Sequence, residues 1–217
     1  MMRPSAPLLL APTLAAALVL AACGSPSPTP GRGVTFPASS TPAVAPPVPA
    51  VPAATGRVTG QGTVLQTPGG VAELCLGPVM ESYPPQCHGV PLVGWHWETT
   101  GPHEEADLDG KVTRWSTYAV TGTFDGRTLT VSGAVPLALY DTVAEPSPRP
   151  MAPPDLTADQ WAEVESGVRL LPGMLASVRE GDTGPVYVDV VHDDGTLQAW
   201  ADTSFGVGAV RVTSALR

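Results

Sequence analysis

Proline is concentrated between residues 23 and 56, where nine of the 26 prolines of this 217-residue chain lie. This segment has one charged side chain, Arg32, and one aromatic side chain, Phe36. It cannot bury enough apolar surface to offset the entropy that ordering would cost. We therefore predict a disordered, proline-rich tether at residues 23–56. Residues 57–217 remain as one globular domain, long enough for a single hydrophobic core.

The tether is expected to be extended. Proline favours polyproline II, which rises about 3.1 Å per residue, so a stiff segment of this length would reach about 100 Å. Such a spacer would hold the domain away from the surface to which its N-terminus is attached. A proline-motif ligand for another protein is the functional alternative.

The first residues are typical of a secretion signal. Arg3 precedes an apolar stretch from Leu8 to Leu20, which Pro12 interrupts. A membrane-spanning helix needs about 20 apolar residues, so a cleaved signal peptide is the better interpretation.

The end of that stretch, Leu20-Ala21-Ala22-Cys23-Gly24, resembles the lipobox of bacterial lipoproteins. The resemblance implies a signal peptide at residues 1–22, diacylglycerol transfer to the thiol of Cys23, cleavage before it and acylation of its amine, for example by palmitate. Two or three acyl chains, at about 0.8 kcal/mol per buried methylene, would keep the protein on a membrane. The expected location is the extracytoplasmic face of the cell membrane or envelope. An ordinary signal peptide with an incidental cysteine is the alternative.

The charge of the chain argues against two classes of partner. The formal net charge is −9, and only 11 residues are lysine or arginine. Nucleic acids and anionic lipid surfaces reward clustered basic residues, so neither is an expected ligand. The membrane would instead be reached through the lipid, and the ligand would be an envelope protein or glycan.

Cys75 and Cys87 enclose a short segment rich in proline. Outside the cytoplasm two such cysteines pair readily, and we predict a disulfide that pins this loop. A catalytic thiol at Cys87, with the adjacent His88 as its base, is the alternative, although adjacency in sequence does not establish that geometry.

Residues 90–98 are predicted to form a strand that places Val93, Trp95 and Trp97 on one face. Two tryptophans at a spacing of two residues usually indicate a buried sheet face. An exposed aromatic platform for sugars or peptides is the alternative, and it makes Trp95 and Trp97 candidate binding residues.

The most acidic stretch begins at His103, and from Glu105 it follows the first half of a calcium-binding loop. Glu105, Asp107 and Asp109 occupy its positions 1, 3 and 5, and Gly110 occupies position 6. The match then fails, because Ser116 stands where a bidentate glutamate is required. A solvated acidic loop is the preferred interpretation, with no cofactor, and calcium is the alternative. Neither His96 nor His103 has the spacing of a zinc site.

A β-hairpin is predicted between Val112 and Leu137, because Asp125-Gly126 is a signal for a two-residue type I′ turn. That turn would pair Val120 with Val131 and would place both apolar sets on one face.

The C-terminal third predicts helices and strands in alternation. Residues 144–154 form a second proline-rich loop, after which Thr157 and Gln160 form a capping box at the start of a helix. Residues 174–179 are expected to form a further short helix. For residues 185–214 a strand, helix and strand are favoured over a hairpin, which stays the alternative.

We therefore predict an α+β domain with a small antiparallel-rich sheet, open or barrel-like, one or two packed helices and a disulfide-pinned loop. The chain resembles uncharacterised lipoproteins of high-GC bacteria in three places. They are the segment from Cys75-Leu76-Gly77-Pro78 through Ser82-Tyr83-Pro84-Pro85-Gln86-Cys87, the segment Gly94-Trp95-His96-Trp97, and residues 194–200. That resemblance implies secreted domains and no particular chemistry.

The sequence contains no Gly-x-Ser-x-Gly, no His-Glu-x-x-His and no phosphate-binding glycine loop, and no catalytic residue is assigned. The expectation is a non-enzymatic binding or structural module of the envelope. A hydrolase with a dispersed active site and a calcium-stabilised domain are the alternatives.

Overall fold

The computed structural model describes residues 46–141 and 152–217. Within them the chain forms two β-sheets and three α-helices. The first sheet contains strands β1 to β6, and the second contains strands β7 to β9. The elements are β1 Arg57–Gln66, β2 Glu73–Cys75, β3 Val90–Val93, α1 Trp97–Thr100, β4 Glu104–Leu108, β5 Lys111–Phe124, β6 Leu129–Pro136, a 3₁₀ turn Leu137–Leu139, α2 Ala158–Val168, β7 Met174–Arg179, β8 Val186–Val190, α3 Thr196–Phe205 and β9 Val210–Ser214.

The first sheet is a partly closed ring. Its strand order is β1-β2-β3-β6-β5-β4. Because β1 also pairs with β5, the strands β1, β2, β3, β6 and β5 surround a core. Strand β4 lies outside this ring and pairs with β5 alone. Strands β3 and β6 are parallel and the other pairs are antiparallel. The predicted α+β class with an antiparallel-rich, barrel-like sheet is confirmed.

The core of the ring consists of apolar side chains that alternate along the strands toward its interior. Its buried members include Val58, Val64, Leu74, Leu92, Tyr118, Val120, Phe124, Leu129 and Leu216.

The second sheet has the order β7-β8-β9, with β8 and β9 parallel. Helix α3 connects these two strands, so the strand-helix-strand prediction for residues 185–214 is confirmed and the hairpin is wrong. Val186, Val188 and Val190 of β8 are buried in a second core with Trp161 of α2 and Leu197 of α3.

The start of α2 agrees with its sequence. The Thr157 hydroxyl accepts the backbone N–H of Gln160, and the Gln160 side chain accepts the backbone N–H of Thr157. This capping box satisfies two N–H groups that a helix start leaves unpaired.

The hairpin of β5 and β6 is confirmed, but its register is wrong. Phe124 pairs with Leu129 and Gly122 with Val131, so the turn contains four residues. The Asp125 carboxylate accepts the N–H groups of Arg127 and Thr128, at 2.8 and 2.7 Å, which favours the longer turn. Between the turn and Gly122 the register differs from the prediction by two positions, so the same faces stay buried there. Beyond the bulge between Thr121 and Gly122, Val120 pairs with Ala134 instead of the predicted Val131, and the inward face of β6 changes.

Three other local predictions are wrong. The strand that starts at Val90 ends at Val93, because Gly94 has φ of +79° and α1 follows. The acidic stretch is not a loop, since Glu104–Leu108 and Lys111–Phe124 are paired strands joined by Asp109 and Gly110.

Residues 174–179 form strand β7 instead of a helix, because their backbone pairs with β8. Tertiary pairing of this kind overrides a weak local preference for helix.

The last part of the predicted tether lies against the domain. The Ala54 N–H donates to the carbonyl of Phe124 at 2.9 Å, and the Trp200 indole N–H donates to the carbonyl of Pro46 at 3.1 Å. Val51 packs against the core of the ring. The predictions for residues 1–45, and for residues 144–151 of the second proline-rich loop, lie outside the described residues.

Candidate functional site

A disulfide joins Cys75 and Cys87, as predicted. It closes a loop of residues 76–86, which lies over the outer surface of the ring. Within this disulfide loop the N–H of Met80 donates to the carbonyl of Gln86 at 2.9 Å. The sulfur of Cys87 is bonded to that of Cys75, so it is not a free thiol nucleophile, and the catalytic alternative at Cys87 and His88 is wrong for this state.

An exposed aromatic side chain, Tyr83, lies at the tip of the disulfide loop. It is 74% exposed, and its ring contacts Trp115 edge to face with the centroids 5.7 Å apart. Trp115 is buried in a small cluster with Leu65, Cys75 and Ala106 on the outer face of the sheet. The disulfide loop therefore presents one aromatic ring to solvent and supports it on a buried one.

A shallow cavity of about 260 Å³, which we call the Tyr83 groove, lies between the disulfide loop and strands β1, β4 and β5. It is lined by Thr63, Val79, Ser82, Tyr83, Pro85, Glu104, Trp115, Ser116 and Thr117.

Strand pairing explains how these residues meet. Glu104 is the ladder partner of Trp115, and Thr63 is the partner of Thr117. The groove thus combines an aromatic ring, several hydroxyl groups and one exposed carboxylate, and none of its lining residues is cationic.

The candidate binding tryptophans Trp95 and Trp97 do not form an exposed platform. Trp97 is 5% exposed, and its indole N–H donates to the Gln66 side-chain oxygen at 2.6 Å. Trp95 is partly buried and packs edge to face on Trp97 and Tyr118, with centroids 5.3 and 5.0 Å away. These rings close one end of the core, and burial raises the pKa of the Tyr118 hydroxyl.

The candidate calcium ligands have other partners in the β4–β5 hairpin. The Glu105 carboxylate accepts hydrogen bonds from Arg114 and lies 3.2 Å from His103 Nε2, and the two bonds, Arg114 first, hold the pKa of Glu105 below its ordinary value. Asp107 accepts the N–H of Gly110 at 2.7 Å.

Asp109 has φ of +56° and forms the turn. Within the described ranges, no group of three or more His, Cys, Asp or Glu side chains is arranged to hold a metal ion. A domain without a cofactor stays the prediction, and calcium stays its alternative.

Sequence reasoning missed Tyr83 and Glu104. A tyrosine flanked by serine and two prolines inside a cysteine-closed segment was the available signal, because such a loop cannot turn its side chains into a core of its own. Glu104 gave no signal, since its position beside Trp115 depends on the unforeseen strand β4.

In the part of the chain that the structure describes, no helix is both long and apolar enough to cross a bilayer. Comparison of the chain with models of protein families, with curated proteins and with solved structures gives no match.

Proposed function

We propose that this protein is a lipid-anchored, non-enzymatic binding module on the extracytoplasmic face of the cell envelope, and that the Tyr83 groove holds a neutral glycan. The observation that carries the proposal is Tyr83, which lies on the disulfide loop and is 74% exposed. Its ring rests against that of Trp115 on β5. A large apolar ring fixed in an exposed position is a common anchor of a binding site.

The location rests on the resemblance of residues 20–24 to a lipobox. Acylation of Cys23 would attach the chain to a membrane, and the proline-rich segment that follows would separate the domain from the bilayer.

The ligand class follows from the lining of the groove. The face of the Tyr83 ring would stack on the apolar face of a sugar ring, while Thr63, Ser116 and Thr117 would exchange hydrogen bonds with sugar hydroxyls. The Glu104 carboxylate can only accept hydrogen bonds when ionised, which suits a ligand rich in O–H donors. With no cationic residue in the lining, an anionic ligand would be repelled.

Binding is favoured over hydrolysis because the groove has a single carboxylate. Most glycoside hydrolases place two carboxyl groups on either side of the scissile bond, one as acid and one as base or nucleophile. Glu104 is the only Asp or Glu among the residues that line the groove.

The test is binding of the purified full chain to a panel of immobilised neutral oligosaccharides, with the same oligosaccharides in solution as competitors. We expect Tyr83→Ala to weaken binding about tenfold or more, as loss of an anchoring aromatic does, and Tyr83→Phe to retain most of it. The matched control is Tyr187→Ala, which removes a partly exposed tyrosine from the second sheet.

Equal binding by wild type and Tyr83→Ala would reject the groove as the site. Cleavage of the glycan by the wild type, abolished in Glu104→Gln, would replace the binding module by a hydrolase.

A further inference from the structure

Three strands in the described part of the chain have a neighbour on one side only. They are β4 in the first sheet and β7 and β9 in the second. The free side of such a strand exposes backbone N–H and C=O groups that can pair with a strand of another chain, and proteins usually protect it.

Two of these edges are protected. Strand β4 carries Glu104, Glu105 and Asp107 within five residues, and this charge density opposes an added strand. At β9 the Gln198 side chain accepts the N–H of Val212 at 2.9 Å and donates to the carbonyl of Val210 at 3.1 Å. One amide therefore occupies the backbone positions that a further strand would use.

Among the described residues, positions 176–178 of strand β7 have neither kind of protection, whereas a Cβ placed at Gly77 of the disulfide loop would lie 3.3 Å from the Cβ of Leu175. Ala176, Ser177 and Val178 are exposed and uncharged, and Val178 is 66% exposed. The nearby Arg179 is turned away, since its guanidinium lies over the Trp161 ring and donates to Glu165 of α2 at 3.0 Å.

The pairing with β8 identifies which backbone groups of β7 are free. The Glu180 N–H donates to the carbonyl of Pro185 at 3.1 Å, and Arg179 to Ala176 continue the same antiparallel register. Hydrogen-bonded and non-hydrogen-bonded pairs alternate along such a ladder. Ala176 and Val178 therefore bond to β8, whereas the N–H and C=O groups of Ser177 and Arg179 point away from the sheet.

We propose that β7 pairs with β7 of a second copy of this chain, antiparallel and about a two-fold axis at Ser177. The N–H of each Ser177 then donates to the carbonyl of the second copy's Ser177, which joins the two three-stranded sheets into one of six strands.

The edge is self-complementary in this register, which is what a two-fold interface requires. Ala176 of each copy opposes Val178 of the other on one face of the joined sheet, so apolar side chains meet. On the other face Arg179 opposes Leu175, and no like charges are directly opposed.

The protected edges explain why the assembly stops at two copies. A sheet that could add strands at both β7 and β9 would extend into an open fibre. Because Gln198 blocks β9, pairing at β7 uses the edge of each second sheet that the described residues leave open, and it closes the dimer.

Net charge gives the dimer a characteristic salt dependence. Each chain carries a formal charge of −9, so two copies repel at long range, and salt screens that repulsion. Dimerisation should therefore strengthen with added salt, whereas an interface held by ion pairs would weaken.

The first test is cross-linking of the full chain in a Cys23→Ser background, in which an introduced cysteine is the free thiol. In Ser177→Cys the two Cα atoms would be about 5.5 Å apart, as in a hydrogen-bonded pair, and this is within the range of disulfides. We expect a covalent dimer on mild oxidation. Ala199→Cys, at an exposed position of α3, is the matched control and should stay monomeric.

The second test uses proline at neighbouring positions and sedimentation velocity. Ser177→Pro removes an N–H that β8 does not use, so the fold should survive while the dimer dissociation constant rises about tenfold or more. Val178→Pro removes an N–H that bonds to β8 and should destabilise the second sheet itself.

A wild-type chain that stays monomeric at high salt, with no preferential cross-link at residue 177, would overturn the proposal. So would a dimer that persists unchanged in Ser177→Pro, because the interface would then lie elsewhere.

Discussion

His192 Nδ1 lies 2.8 Å from the carbonyl oxygen of Leu216, the residue before the C-terminal arginine. A carbonyl can only accept, so Nδ1 carries the proton in this contact. The His192 ring also packs edge to face on Phe124 of the ring core, with centroids 6.0 Å apart. Because His192 lies two residues after the end of β8, this buried contact links the second sheet to the core of the first.

Leu216 itself fills the ring core, and this leads to a first prediction. Its side chain is fully buried, and a Cβ placed at Gly60 would lie 2.6 Å from its Cδ2 atom, so a larger residue at position 60 would displace the Leu216 side chain. Leu216→Ala should lower the free energy of unfolding by about 2–5 kcal/mol in urea titrations. Leu139→Ala, at a position 77% exposed, should change it by less than about 0.5 kcal/mol.

The disulfide should contribute to stability and to the Tyr83 groove together. Its cysteines are 12 residues apart, and closing a loop of that size stabilises a fold by about 3 kcal/mol in the chain-entropy model. We expect the double variant Cys75→Ser, Cys87→Ser to unfold at correspondingly lower urea concentration and to bind the neutral oligosaccharides less well. Unchanged binding would show that the ligand site does not depend on the disulfide.

Asp125 should make part of the stability dependent on pH. The N–H groups of Thr128 and Arg127, in that order, hold the pKa of its carboxyl below the ordinary value. A depressed pKa gives stability that is present above the unfolded-state pKa and is lost as pH falls through the folded-state pKa.

In Asp125→Asn the amide oxygen accepts the same N–H groups without a charge, so stability near neutral pH should fall modestly while stability at low pH changes little, which makes its decline with acid less steep. Unfolding measured between neutral pH and about pH 3 checks this, since that range crosses the ordinary pKa of an aspartate. If the free energy of unfolding of the variant fell with decreasing pH as steeply as that of the wild type, Asp125 would not be the source of this pH dependence.

The candidate calcium residues should leave stability independent of calcium. Glu105 accepts a hydrogen bond from Arg114, and Asp107 accepts one from the N–H of Gly110, so calcium would compete with a partner that each carboxylate already has. We expect the same melting temperature with added calcium as with chelator. A rise with calcium that disappears in the double variant Asp107→Asn, Asp109→Asn would establish the site.

The lipid anchor is tested independently of the domain. Cys23→Ser should move the protein from the membrane fraction to the soluble fraction of the producing cells, because the acyl chains would be missing. Mass spectrometry of the N-terminal peptide should find acylated Cys23 in the wild type. An unmodified Cys23 would contradict the anchor and leave the binding test of the groove unaffected.

Elements that depend on neighbours in sequence were predicted well. The capping box of Thr157 and Gln160 needs only residues three positions apart, and the pairing of Cys75 with Cys87 needs only a short loop. The β5–β6 hairpin was located correctly, but its register was decided by hydrogen bonds of the Asp125 side chain that a turn dipeptide does not specify.

Elements that depend on distant partners were not predicted. Strand β7 exists because β8 pairs with it, and β4 exists because β5 does. Residues 46–56 look unstructured by composition, yet Trp200 and Phe124 supply hydrogen-bond partners that lie far along the chain.

The sequence by itself determined the α+β class, the disulfide loop and the start of α2, because these follow from periodicity, loop length and local hydrogen bonds. Only the tertiary structure brought Tyr83 over Trp115 and beside Glu104, and left the edge of β7 free while Gln198 covered that of β9. The physical reason is that a groove and a strand edge are both defined by residues remote in sequence, whose proximity arises only when the sheets close.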